Sequence, residues 1–144
     1  MTERIIYPSG DGGVCVVIPA PGMLLEEVIA LAVPAGVAHT IVDVSALPAD
    51  RYFRDAWKSD LSIDMDKARE IHKEVLRRQR KPLLEALDVD SLRAIEANDT
   101  ALLADTATKK QSLRDAPANP AIQAASTPEA LRLIKLEAKI EVKP

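Results

Sequence analysis

Three residues in the first third of the chain, Cys15, His39 and Asp43, are of the types a cysteine hydrolase uses as nucleophile, base and orienting acid. No nucleophile-elbow or histidine signature surrounds them, so a strand cysteine and a strand-edge histidine are the favoured reading, and no catalytic residue is assigned. His39 and His72 are the only histidines and stand far apart, outside any His-x-x-x-His ligand spacing. Asp64-Met-Asp66 and Asp88-Val-Asp90 are carboxylate pairs of a kind that elsewhere holds Mg²⁺ or Ca²⁺. Each stands where a helix is expected to begin, and no EF-hand glycine and glutamate follow. Helix capping is the expected role of both, so no metal and no cofactor site is assigned. Gly10-Asp-Gly-Gly13 lacks phosphate-loop spacing and precedes a strand, and is read as a turn.

The strongest electrostatic feature is the run His72 to Lys81, HKEVLRRQRK, with Lys73, Arg77, Arg78, Arg80 and Lys81 as its cations. On a helix, Lys73, Arg77 and Arg80 share a face that suits nucleic acid or an acidic partner. Asp66, Glu70 and Glu74 balance it, no aromatic residue is interleaved, and the chain carries a net charge of −3. Tight phosphate binding needs a surplus of cations, so nucleic acid is disfavoured as partner.

Composition narrows the class further. Apolar residues make up 47% and charged residues 28%, ordinary values for a folded soluble chain. Cys15 is the only cysteine, which excludes an intramolecular disulfide and a cysteine metal cluster and fits synthesis in a reducing cytoplasm. The opening MTERIIYPSGDGG carries no apolar core of signal-peptide length. The apolar-rich stretch from Met23 to Gly36 is broken by Glu26, Glu27 and Pro34, so no membrane span is expected. Aromatic residues are 3%, and three of the four rings, Tyr52, Phe53 and Trp57, fall within six residues.

The elements expected to position these groups make an α+β chain in three parts. Residues 1–47 form a small ββαβ head: strands Arg4–Tyr7 and Val14–Ile18 joined by the glycine turn, a helix Met23–Ala32 with Leu24, Val28 and Leu31 on one face, and a strand His39–Val44. Val14, Val16 and Ile18 share one strand face, Cys15 and Val17 the other. Residues 48–116 contain no glycine and form an antiparallel helical hairpin, with a boundary near Leu47–Asp50. A short helix from Pro48 carries Tyr52, Phe53, Ala56 and Trp57. The next helix is capped by Asp64 and kinked or broken at Pro82. Helices Ser91–Ala97 and Thr100–Arg114 follow, with Asn98-Asp99 as turn or cap. In residues 117–144 a two-proline loop leads to a helix begun by Thr127-Pro128-Glu129. From Ile134 onward apolar and charged residues alternate strictly, the period of a terminal strand, with Leu136, Ile140 and Val142 on its apolar face.

The order RIIYPSGDGGVCVVIP, VPAGVAHTIVDVSALPADRYFRDAW, DMDKAREIHKEVLRRQRKPLLEALDVDSLRAIEANDT and KKQSLRDAPANPAI…TPEAL resembles small proteins that tailed bacteriophages encode among their virion and tail genes. The resemblance spans residues 4 to about 131. The stretch Leu113 to Pro117, LRDAP, is also similar to one in phage tail-fibre assembly and tail chaperone proteins. The resemblance brings no catalytic residue. It implies a role in or on the phage particle, made in the host cytoplasm.

The expected function is therefore that of a non-enzymatic, tail-associated virion protein acting through protein–protein contacts. Its partners are other phage structural proteins, tail or tail-fibre components above all, with homo-oligomers also open. Tyr52, Phe53 and Trp57 serve either as the joint between head and hairpin or as an interface anchor. Leu136, Ile140 and Val142 are the candidate edge for a partner's sheet. The alternatives are a tail or tail-fibre assembly chaperone not retained in the virion, and a small nucleic-acid-binding regulator using the cations of residues 73–81.

Overall fold

The computed structural model describes residues 2–136 and is α+β. Its contacts divide into two compact units, Met1–Ala68 and Arg69–Pro144. The first therefore takes in residues 48–68, which glycine usage places with the hairpin.

In the first unit, strands β1 (Glu3–Pro8) and β2 (Val14–Val17) pair antiparallel, with Tyr7 opposite Cys15 and Ile6 opposite Val16. The glycine run is the expected turn. Ser9 donates to the Gly13 carbonyl at 2.8 Å, and the Asp11 carboxylate accepts from the Gly13 N–H and the Ser9 hydroxyl. Gly12 sits at φ +89°, and a Cβ there would lie 2.9 Å from Lys67 Nζ, which itself donates to the Gly12 carbonyl. The positive φ favours glycine there, since the Lys67 side chain could move aside.

Helix α1 (Leu25–Ala32) leads to β3 (Thr40–Asp43), which pairs antiparallel on the other side of β1, giving the order β2-β1-β3. Ile5 and Ile6 are both buried, so both sheet faces are covered. On one face Ile6, Val14, Leu47 and Trp57 form a cluster, flanked by Val16, Val42 and Ile63. Val14 and Val16 thus share a covered face as expected, but Ile18 lies beyond the strand end and is exposed.

Two expectations fail in this unit. The face Leu24–Val28–Leu31 does not close onto the core. Only Val28 is buried, while Leu24 is 65% and Leu31 79% exposed, because the helix turns Leu25, Ile29 and Ala32 inward beside Val28. The aromatic segment is not an α-helix either. A 3-10 turn, Arg54–Ala56, is followed by Trp57 in extended conformation, bridged to Ile63. The segment is too short for a cooperative helix, and the carboxylates of Asp50 and Asp60 take the N–H groups of Tyr52 and Ser62 instead.

Helix α2 runs from Met65 to Glu96. Asp64 accepts from the N–H groups of Asp66 and Lys67 at 3.1 and 3.3 Å, the capping expected of it. Of the expected kink or break at Pro82 the break does not occur, nor does the new start at Asp88–Asp90; the helix is continuous through both. Pro82 removes the N–H that would bind the Arg78 carbonyl, but both residues are exposed and water can take the freed carbonyl. Pro82→Ala is expected to stabilise the chain by about 1–2 kcal/mol, read by chemical denaturation.

Helix α3 (Thr100–Asp115) follows a turn in which Asn98 adopts φ +53° and Asp99 caps Leu102 N–H at 3.0 Å. Lys110 meets Asp88 at 2.7 Å and Arg80 reaches the carbonyls of Leu113 and Arg114, so α3 runs antiparallel beside α2. Helices α4 (Pro120–Ala124) and α5 (Pro128–Leu133) complete the unit. Thr127 caps Ala130 N–H at 3.1 Å, as expected from Thr-Pro-Glu. Leu76, Leu113, Ile122 and Leu131 are the largest residues of its core. Most of the expected terminal strand lies outside the described residues.

Candidate functional site

The sheet order separates the candidate trio Cys15, His39 and Asp43. Cys15 is on β2 and Asp43 on β3, with β1 between them, and two strand spacings amount to about 10 Å. His39 is exposed just before β3. Cys15 faces Tyr7 instead, and this side-chain hydrogen bond, with some burial, holds the Tyr7 phenol above its ordinary pKa. Asp43 is engaged as a cap: it accepts from the Thr2 hydroxyl and from Ser45 N–H. These bonds lower its pKa to about 2.

A carboxyl with a depressed pKa in the folded state stabilises the fold above its unfolded value of about 3.9, and that contribution is lost as pH falls toward 2. Carbon-detected NMR titration is expected to place the Asp43 midpoint near 2 and to move it upward in Thr2→Val, because the hydroxyl is the largest cause of the shift. An ordinary carboxylate midpoint in the unmodified chain would contradict this.

The two Asp-x-Asp pairs have different fates. Asp64 caps α2, as expected. Asp88 does not cap a helix; it lies within α2 and bonds to Lys110 across the hairpin. Among the described residues, no three His, Cys, Asp or Glu side chains come together in a way that could hold a metal ion.

The cations of residues 73–81 do not form one uniform face. Lys73 pairs with Glu70 and Arg77 with Glu74, each at 3.1 Å. Arg80 donates to Leu113 O at 3.3 Å and Arg114 O at 2.9 Å, carbonyls left open by the end of α3, where a cation also meets the negative end of the helix dipole. Arg78 and Lys81 point to solvent. Arg80→Ala is expected to cost about 1–2 kcal/mol of stability, measured by urea denaturation, whereas Arg78→Ala leaves the midpoint unchanged within about 0.5 kcal/mol. Equal effects of the two substitutions would contradict the capping role.

The aromatic trio belongs to the first unit. Trp57 is 2% exposed and lies in the sheet's cluster, with the Arg54 guanidinium 5.0 Å from its ring centroid. Arg54 also donates to the Val14 carbonyl at 3.1 Å, fixing the segment to β2. Phe53 is buried and meets Tyr52 edge-on at 4.6 Å; Tyr52 is half-buried. The rings therefore pin residues 52–57 within this unit, and Phe53 and Trp57 present little surface to a partner. At the C-terminus Leu136 is half-buried, and Ile140 and Val142 lie outside the described residues.

One surface feature carried no sequence signal. Between β2 and α1, the segment Pro19–Glu26 and the Glu3–Arg4 start of β1 line a cleft of about 730 Å³. Met23 and Leu24 contribute apolar wall, and Glu3 and Glu26 supply acidic groups. Ile18, adjoining the cleft segment, is 67% exposed. The prolines at 19 and 21 mark an irregular connection, but nothing in their spacing says that it encloses a hollow.

Against family models, curated proteins and solved structures, the chain has no match.

Proposed function

We propose that the chain is a tail-associated structural protein of a bacteriophage particle and works by protein–protein contact. The observation that carries this reading is the apolar surface of the first unit. Leu24 and Leu31, two turns apart on the same side at α1, are largely exposed, and Leu24 opens directly on the Pro19–Glu26 cleft. Single exposed leucines such as Leu31 are ordinary, whereas Met23 and Leu24 gather at the cleft with Ile18 adjoining it, and apolar residues gathered beside a cleft are characteristic of contact surfaces. The order of phage-like sequence segments supplies the context in which that contact is made. The engagement of Lys73, Arg77 and Arg80 within the chain weighs against the nucleic-acid-binding alternative.

The test is affinity purification of the tagged full chain from phage-producing cells, with chemical cross-linking and mass spectrometry. Tail or tail-fibre proteins are expected to be recovered, with cross-links to the first unit, and Leu24→Ser with Leu31→Ser is expected to reduce their recovery. Recovery of DNA or host proteins alone, with no phage structural protein, would overturn the proposal.

A further inference from the structure

On the side of α2 away from its buried stripe, positions 71, 74, 78, 81, 85, 88, 92 and 95 are spaced alternately by three and four and form one seam, with Ile71 half-buried, the other seven exposed and five of the eight charged. This seam lies opposite the buried stripe of Ala68, His72, Leu76, Leu87 and Ala94. Leu92 is 61% and Ile95 57% exposed, and Asp88 stays 65% exposed on its side chain even while it pairs with Lys110.

The seam's charges are ordered. Glu74, held by Arg77, precedes Arg78 and Lys81; Glu85 and Asp88 follow these two at equal distances from a point at residue 83, with Asp88 also paired to Lys110. Such a face is the complement of itself reversed. We infer that α2 pairs with α2 of a second copy, antiparallel, about a twofold axis at residue 83. Lys81 then meets Glu85 of the other copy and Arg78 meets Asp88, each contact occurring twice. The outermost layers bring Ile71 against Ile95, and Leu92 against the stem of Glu74, whose carboxylate is held by Arg77. Parallel, in-register pairing would set each of these charges against its own kind, which disfavours it. The inference needs only the purified chain and is independent of the virion reading.

The test uses the full chain with Cys15→Ser. Lys81→Cys and Glu85→Cys chains are mixed and oxidised; a mixed disulfide dimer is expected to exceed either self-linked species. Predominance of self-linked Glu85→Cys would overturn the antiparallel register. Sedimentation of the unmodified chain is expected to show a concentration-dependent dimer that weakens about tenfold or more as salt is raised from low to about 0.5 M. Lys81→Glu should abolish it, and adding Glu85→Lys should restore it, with Asp88 left in place on Lys110 and helical circular dichroism verifying folding. A monomer at the highest soluble concentration in low salt would overturn the inference, as would a dimer insensitive to both salt and the charge reversal.

Discussion

Trp57→Ala is expected to destabilise the first unit by about 3–5 kcal/mol, the range for truncating a large buried aromatic residue. The ring is 2% exposed and touches a cluster that joins the sheet to residues 44–63, so its removal leaves a cavity beneath β1 and β2. Arg54 would also lose the ring it stacks on. Trp57→Phe should cost much less, because it keeps an aromatic filler and gives up no hydrogen bond: the indole N–H is buried without an acceptor among the described residues. Native-state hydrogen exchange on the amides of Ile5, Ile6 and Val16 gives the readout. A loss below about 1 kcal/mol in the alanine variant would show that the ring is not part of the core and would return it to the role of interface anchor.

Leu113→Ala is the second large effect, with an expected loss of about 2–5 kcal/mol in the second unit. Leu113 is buried near the end of α3, and its carbonyl accepts from Arg80, so the residue holds α3 to α2 through both side chain and backbone. Leu102, near the start of the same helix, is 42% exposed and provides the internal comparison; Leu102→Ala should stay within about 0.5 kcal/mol. Urea denaturation followed by helical circular dichroism separates the two. Similar losses at both positions would mean that α3 is not packed through the face that carries Leu113.

The range of the forces involved decides which features the sequence announces. The turn at Ser9–Gly13, the caps at Asp64, Asp99 and Thr127, and the three strands are set by residues within a few positions of one another, and local chemistry announced them. Pro82 and Asp88 were misleading for the opposite reason. Whether a proline ends a helix depends on whether the freed carbonyl reaches water and whether the flanks are held elsewhere; Arg80 and Asp88 supply that hold through α3, more than twenty residues away. The sequence marks the aromatic trio as a cluster, but the expected helix does not form, because the competing bonds from Asp50 and Asp60 favour turns. Its burial depends on residues as distant as Ile6 and Val14. The Pro19–Glu26 cleft is a matter of shape alone and had no counterpart in periodicity or motif.

The charge pattern shows the same division. Read as a list, residues 73–81 are a basic run; placed on α2, they separate into local ion pairs, a cap for α3, and two cations on an open seam. The same sequence can thus look like a polyanion site while most of its cations are engaged within the chain, and the difference lies in which side of one helix each charge occupies.

Quantitative mass spectrometry of gradient-purified particles from phage-producing cells that make the chain tests the proposed virion role. The chain is expected in mature particles at a fixed ratio to tail proteins; its complete absence from them would refute a structural role.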